Sequence, residues 1–376
     1  MLDSGDGGAH VADAGVRMEI GSGADCPERS ADAFVRVNAR GAFELSGEEL
    51  VPRGINSYPL LQHAGAGRLE ALHDIFDQAA SLGRRIVRTP AFMDVGESQA
   101  RIRSDDGGVL EEGLFALDQV LSIAEQYEVR LILILTNNWA DFGGAPAVVE
   151  LLAPGGRLPK DAFWSDSRAI DLQLSYQRAL VERVNALTGR AYRDDPTIFA
   201  WELANEARCT QKSLCDERTL VRWARRMSDG LRASCVQQLI SWGGGGYLGE
   251  HGEDLRLIAA EGGVDVLTFH MYGSMLARDP ELAIEWGLSS LRERSRAVRE
   301  FGLPLLLEEV NWQPGPESDR DAERATVLGA WLEAAAEEGM GTLPWMIGER
   351  GRRDYDGYLI RPEDDATIRT LTSEQW

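Results

Sequence analysis

Glu206 in the stretch IFAWELANEARC, and Glu308 and Glu309 in LPLLLEEVNW, each follow closely on a short apolar run. A pair of carboxyl groups facing each other across a cleft can break an acetal. One, as a carboxylic acid with a raised pKa, protonates the leaving oxygen; the other, ionised, attacks the anomeric carbon. Asn205, beside Glu206, can hydrogen-bond a sugar hydroxyl or the partner carboxylate. Other apolar runs end in Asn56 and Tyr58, in Arg88, in Asn137, Asn138 and Trp139, in Trp242, in His270 and Tyr272, and in Trp345. Aromatic faces stack on the C–H face of a pyranose, and Asn, His, Tyr and Arg meet its hydroxyls. Any one of these residues alone reads as a capping or surface group. Their concentration at run ends points to a glycan-binding cleft. With 61 acidic residues in the chain, residue type alone does not select the catalytic pair.

The elements that must position these residues are legible from periodicity. Short apolar runs lie near 52–56, 85–89, 130–136, 198–204, 237–242, 264–269, 303–308 and 340–346, eight in all. Between them come amphipathic stretches such as Leu172, Tyr176, Leu180 and Val184, or Val327, Leu328, Trp331 and Leu332, at helical spacing. LILIL (131–135) and LPLLL (303–307) are continuously apolar, as parallel strands buried on both faces must be. Eight β/α units without an internal linker or repeat predict an α/β fold, a single (β/α)8 TIM barrel rather than an open doubly wound sheet. In a barrel the chemistry sits where strands end, which is where the polar and aromatic residues fall. Ahead of it, FVRVNARGAFEL (34–45) alternates around Asn38-Ala39-Arg40-Gly41 and predicts a β-hairpin. Residues 1–31, rich in Gly, Asp, Ala and Ser without periodicity, read as a flexible acidic leader, and 32–376 as the folded domain.

Composition narrows the partners. The 376 residues carry 39 basic and 61 acidic side chains, a net charge of −22, which argues against a nucleic-acid or anionic-membrane partner. No apolar run approaches eighteen residues, and the opening MLDSGDGGAHVADAG has neither a basic start nor the apolar stretch of a signal peptide. The expectation is a monomer that meets neither nucleic acid nor membrane. Its compartment stays open: secreted if the chain has been trimmed, cytoplasmic otherwise. Four cysteines, at 26, 209, 215 and 235, are too few for a disulfide scaffold, and only Cys209 and Cys215 are close enough in sequence for a local bridge. Gly244-x-Gly246-x-x-Gly249 formally satisfies a dinucleotide fingerprint, but Glu250, Glu253 and Asp254 behind it would repel phosphate, which favours a flexible loop beside the cleft. His10, His63, His73 and His251 share no metal-like spacing and read as surface groups. Trp201, Trp223 and Trp331, mid-strand or mid-helix, read as packing residues, and Trp139 as a cleft wall.

At IFAWELANEARC and LPLLLEEVNW the chain resembles glycoside hydrolase family 5, whose barrels carry catalytic glutamates at the ends of strands four and seven. RLILILTNNWADFGG (130–144), DVLTFHMY (265–272), GTLPWM (341–346) and DYDGY (354–358) are similar, in order and spacing, to its β-1,4-mannanase branch. The resemblance runs from Phe34 to the C-terminus. It implies a retaining hydrolase of β-1,4-mannosidic bonds without metal or organic cofactor. Glu206 would be the acid/base and Glu309 the nucleophile; Glu308 would point the other way by strand alternation. Arg88 would keep the nucleophile ionised, Tyr272 would hydrogen-bond it, and His270 would lie near the acid/base. Asn205 would meet the 2-hydroxyl and Trp345 would lie under the reacting sugar, with Asn138 and Trp139 as further substrate contacts. The bridged loop that similar enzymes place after the acid/base would pair Cys209 with Cys215. Ala207 stands where the family usually has proline, Val310-Asn311 replaces Phe-Gly, Gly273 follows Tyr272 in place of proline, and WGGGGYLG (242–249) lacks an acidic residue often found there. Other outcomes compatible with the same residues are a β-1,4-glucan or glucomannan hydrolase, an exo-mannosidase, a transglycosylase, or a glycan-binding barrel without turnover.

Overall fold

The alternation near the N-terminus folds as three short antiparallel strands, β1 (Arg36–Val37), β2 (Phe43–Leu45) and β3 (Glu48–Leu50), one more than the hairpin expected. Asn38 Oδ1 closes the first turn by accepting from the Arg40 and Ala42 amides at 2.9 and 3.1 Å. The computed structural model describes Cys26 and residues 33–96, 99–273, 279–315 and 319–373, so the leader expected over 1–31 lies outside the described residues apart from Cys26.

All eight expected barrel strands form. They are β4 (Gly54–Asn56), β5 (Ile86–Pro90), β6 (Arg130–Ile134), β7 (Ile198–Glu202), β8 (Leu239–Ser241), β9 (Leu267–Tyr272), β10 (Leu305–Asn311) and β11 (Gly341–Pro344). β4 to β8 form one parallel sheet and β9 to β11 another. Parallel bridges Ser241–Val266 and Arg53–Thr342 join the two at both seams and close the ring. The fourth and seventh barrel strands are thus β7 and β10.

Among the described residues ten α-helices surround it: α1 (Leu60–Gly65), α2 (Leu69–Ser81), α3 (Glu111–Gln126), α4 (Gly144–Leu152), α5 (Ser167–Glu182), α6 (Glu217–Ala233), α7 (Leu255–Glu261), α8 (Pro280–Val298), α9 (Arg320–Glu337) and α10 (Asp365–Ser373). Aspartates start five of them: Asp166, Asp216, Asp254, Asp279 and Asp319 each accept a first-turn amide of α5 to α9. Part of the chain's acidity is therefore spent on helix starts. A cluster of Ile86, Ile132, Phe199, Leu239, Val266, Leu306 and Leu343 fills the barrel beneath the site, and Val35, just ahead of β1, and Phe43 of β2 pack onto it. Trp201, Trp223 and Trp331 are buried packing residues, as expected.

Both cysteine pairs are bonded. Cys209–Cys215 forms as the resemblance implied, with Cα atoms 5.2 Å apart. Cys26–Cys235, whose Cα atoms are 5.4 Å apart, was not foreseen, because 209 residues separate the partners. A cross-link over so long a separation restricts the unfolded chain, an effect of about 2–4 kcal/mol in typical proteins. Cys235→Ser is expected to lower unfolding stability by about that amount without changing turnover. A urea midpoint equal to wild type would contradict it.

Candidate active site

Arg88, delivered by β5, is the hub of the barrel mouth. Its Nη1 donates to Glu309 Oε1 at 2.6 Å, to Tyr58 Oη at 2.9 Å and to Asn56 Oδ1 at 3.1 Å. Nε and Nη2 grip Glu202 at 2.6 and 2.7 Å, and Nη2 also reaches Asn205 Oδ1 at 2.7 Å. Asn205 in turn donates to Asn137 Oδ1 at 3.0 Å. Arg88 has no exposed surface, which corrects its place among the substrate contacts: its guanidinium is buried against the carboxylates.

Glu309 receives a second short hydrogen bond, from Tyr272 Oη at 2.6 Å, and a longer one from Tyr58 Oη at 3.4 Å. Across from it, Glu206 accepts from Trp139 Nε1 at 2.6 Å, meets His270 Nδ1 at 3.0 Å, and lies 3.2 Å from Arg208 Nη2. Glu206 sits in a left-handed backbone conformation (φ +51°) just past the end of β7, where its amide donates to Gly243 O at 2.7 Å. Such a conformation is unfavourable for a residue with a Cβ and is characteristic of functional positions. Gly243 itself must be glycine: a Cβ there would lie 2.4 Å from both Ala204 O and a Glu202 carboxylate oxygen.

An oxygen of Glu206, a nitrogen of His270 and an oxygen of Glu309 all lie within 4.8 Å of one another. That closeness is compatible with the carboxyl separation of about 5–5.5 Å used for double displacement. The trio is also compact enough for a cation, but Arg88 and Arg208 already face its two carboxylates. A metal ion would have to share them with two guanidiniums, so the donor set does not suit one.

Strand alternation predicts that Glu308 turns away from Glu309, and it does not. In the pairing of β10 with β9, Leu307 faces Phe269 and Glu309 faces His270, leaving Glu308 as an extra residue. This bulge lets neighbouring side chains share one side. Glu308 Oε2 stands 3.6 Å from Arg88 Nε and 3.7 Å from His270 Nε2.

Asn138 is also corrected. It is buried, its Oδ1 accepting from Lys160 Nζ, and Asn137 lines the cleft in its place. Trp242 points into the protein and donates to Glu253 at 2.7 Å. That glutamate also accepts from the Gly246 and Tyr247 amides, so the glycine run is held by a buried carboxylate. The same carboxylate occupies the amides a nucleotide phosphate would need. Glu250 from this segment lines the cleft, supplying an acidic side chain that the run itself lacks. His63 is buried against Glu349 at 3.0 Å and is no surface group. Trp139, Asn205, His270, Tyr272 and Trp345 line the cleft, as do Arg208 and Asp356, which the sequence did not single out, and Glu202 lies behind it against Arg88. Arg208 directly precedes Cys209, and its guanidinium lies about 5 Å from the ring centres of Trp139 and Tyr247.

The cleft holds about 990 Å³. Trp139, 42% exposed, stands beside Glu206, and Trp345, held through Nε1 by Asp356 at 3.1 Å, forms part of the floor near Tyr58.

Burial would push the Glu206 carboxyl up, but the hydrogen bond and charge of His270, then Arg208 and Trp139, pull it down to about 2. Burial works against the His270 cation, yet Glu309, Glu206 and Glu308 raise it to about 10. Burial lifts Glu202 to about 8 despite Arg88, and Glu253 to about 7 despite its three hydrogen bonds. Glu202, Glu253 and His270 all bind protons more tightly folded than unfolded. Their contribution is complete below the unfolded values, near 4.5 for the glutamates and 6.5 for the histidine, and is lost as pH rises through about 7, 8 and 10. Glu206 acts oppositely, but only below about 4.5. The urea midpoint is therefore expected to fall between pH 5 and pH 9, by on the order of a few kcal/mol in stability. A flat or rising profile would contradict these environments.

A closed eight-stranded barrel with two close carboxylates at the ends of its fourth and seventh strands, set in an aromatic cleft, defines a retaining glycoside hydrolase. The model described as GH family 5 beta-mannosidase-like matches residues 32–323, and the chain belongs to that family. A mannan endo-1,4-beta-mannosidase of Arabidopsis thaliana is 29% identical, over 91% of this chain and 85% of that one. The endo-1,4-beta-D-mannanase of Thermotoga petrophila superposes with a TM-score of 0.76 at 27% identity, covering 86% of this chain and 98% of that one. The endo-1,4-beta-mannanase of Rhizomucor miehei gives 0.78 at 25% identity, over 90% and 98%. Among the described residues no helix is long and apolar enough to cross a membrane.

Proposed function

We propose that this chain hydrolyses β-1,4-mannosidic bonds of mannan or manno-oligosaccharides with retention, Glu309 being the nucleophile and Glu206 the acid/base. The observation that carries the reading is the pair's asymmetric surroundings within 4.8 Å. Glu309 is gripped by Arg88 and Tyr272, whose hydrogen bonds aim it, while Glu206 is joined to His270, a group that can hold a proton. In the first step a Glu309 oxygen bonds to the anomeric carbon, the bond to the leaving oxygen breaks, and Glu206 delivers a proton to that oxygen. In the second, water attacks the glycosyl ester, Glu206 takes the water's proton, and Glu309 leaves as carboxylate.

The family and its mannan-cleaving relatives support mannan over cellulose. Mannose carries its 2-hydroxyl axially, and Asn205, fixed by Arg88 and Asn137, is the residue we assign to meet it. Arg88, buried behind it, takes part only through Asn205 and Glu309. A site built for a hydroxyl discriminates against an analogue that leaves its polar groups unpaired. Manno-oligosaccharides are expected to be cleaved at least about tenfold faster than cello-oligosaccharides of equal length. Equal rates would overturn the choice of sugar while leaving the retaining mechanism in place. Trp139 by Glu206 and Tyr355 near Trp345, both exposed, support binding on both sides of the scissile bond and hence cleavage within a chain.

A further inference from the structure

Behind His270 lies a carboxylate that the two-glutamate reaction does not use. Glu308 is completely buried, and neither of its oxygens has a hydrogen-bond partner; nor does His270 Nε2, 3.7 Å from Glu308 Oε2. Buried polar groups without partners are rare and call for an explanation. The bulge in β10 is what brings Glu308 here, onto the face of the imidazole away from Glu206.

We infer that Glu308 is a positioning residue for proton delivery: by facing His270 Nε2–H it keeps the Nδ1–H aimed at Glu206, so that His270 holds the proton Glu206 hands to the leaving oxygen. The inference rests on the roles proposed above for Glu206 and Glu309. As the glycosidic bond breaks, the leaving oxygen takes a proton from Glu206, which takes one from His270 Nδ1. His270 is left neutral with its remaining proton on Nε2, toward Glu308. When water attacks the glycosyl ester, its proton passes to Glu206 and back to Nδ1, and the cycle balances. This arrangement reconciles an acid/base that burial alone would protonate with the ionised Glu206 that its neighbours favour.

The charged surroundings are consistent with it. His270 is faced by Glu206 and Glu202 from β7 and its end, Glu253 from beyond β8, and Glu308 and Glu309 from β10. Glu308 is faced by Arg88 from β5, Glu202 from β7, His270 from β9 and Tyr58 from beyond β4. Without the Glu308 charge, the cation on His270 loses one of its supporting anions.

The test is the pH profile of kcat/KM for a manno-oligosaccharide in Glu308→Gln. Its alkaline limb is expected to move down by about one pH unit, because an anion that favours protonated His270 is gone. Glu308→Asp, which keeps the charge, should restore most of it, and an aryl mannoside with a good leaving group should show little loss in its glycosylation step. An unmoved limb, or the same loss on both substrates, would overturn the inference. Nitrogen-15 NMR of wild-type His270 gives a reading independent of variant folding: Nε2 should carry a proton from pH 5 to pH 8, and a bare Nε2 would overturn it. Glu206→Ala and Glu309→Ala measured alongside separate the two levels: full turnover in either removes the catalytic roles themselves, whatever Glu308→Gln does.

Discussion

Glu309→Ala is expected to lose turnover on every glycoside, natural or activated, by about 10⁴-fold or more. No other group can replace it. Its neighbour Glu308 is held deeper, facing Arg88 Nε and His270, whereas Glu309 takes the short hydrogen bonds from Arg88 Nη1 and Tyr272 at the cleft surface. Azide should partly restore activity by occupying the space of the lost carboxylate, and the product should then be the α-glycosyl azide, of inverted configuration. Activity comparable to wild type, or a β-glycosyl azide, would show that the nucleophile lies elsewhere.

Glu206→Ala is expected to depend on the substrate. With manno-oligosaccharides, whose leaving sugar needs a proton, the loss should be about 10²–10⁴-fold. With aryl mannosides of low leaving-group pKa, glycosylation should stay near the wild-type rate and the glycosyl-enzyme should accumulate, giving a burst. Azide should relieve the slow second step and yield the β-glycosyl azide, of retained configuration. Loss of equal size on both kinds of substrate would remove Glu206 from the acid role. Trp139 and Arg208 would remain nearby in this variant, so binding should change less than kcat.

The barrel was legible because its signals are local. Continuous apolar runs, helical periodicity and turn residues mark eight strands, each strand bounded within a few residues of where it forms. The glutamate pair was legible because strand ends are where barrels keep their chemistry, and because the flanking residues resemble a known family. What escaped depends on departures from regular geometry. Strand alternation misplaced Glu308, since a bulge skips one residue of β10 and no residue type announces it. Asn137 and Asn138 are consecutive amides in a loop, and only the fold decides that the second turns to Lys160. Glu202, mid-run in FAWEL, looks like a misfit in a buried strand until Arg88 from β5 is beside it. Glu253 looked like an acidic residue following a flexible loop; its partners Trp242, Gly246 and Tyr247 make it the loop's support. Cys26 and Cys235 are too far apart in sequence for spacing to pair them. In each case the missing information is a long-range contact.

The most direct test is to trap the covalent intermediate. Incubating the enzyme with a 2-deoxy-2-fluoro-β-mannosyl fluoride slows both steps but slows hydrolysis of the ester more, so the glycosyl-enzyme accumulates. Peptide mapping by mass spectrometry should then find a single fluoromannosyl adduct, in the peptide containing LLLEEVNW and on Glu309. An adduct on Glu206 or Glu308, or rapid release of an α-configured sugar with no adduct, would contradict the central claim.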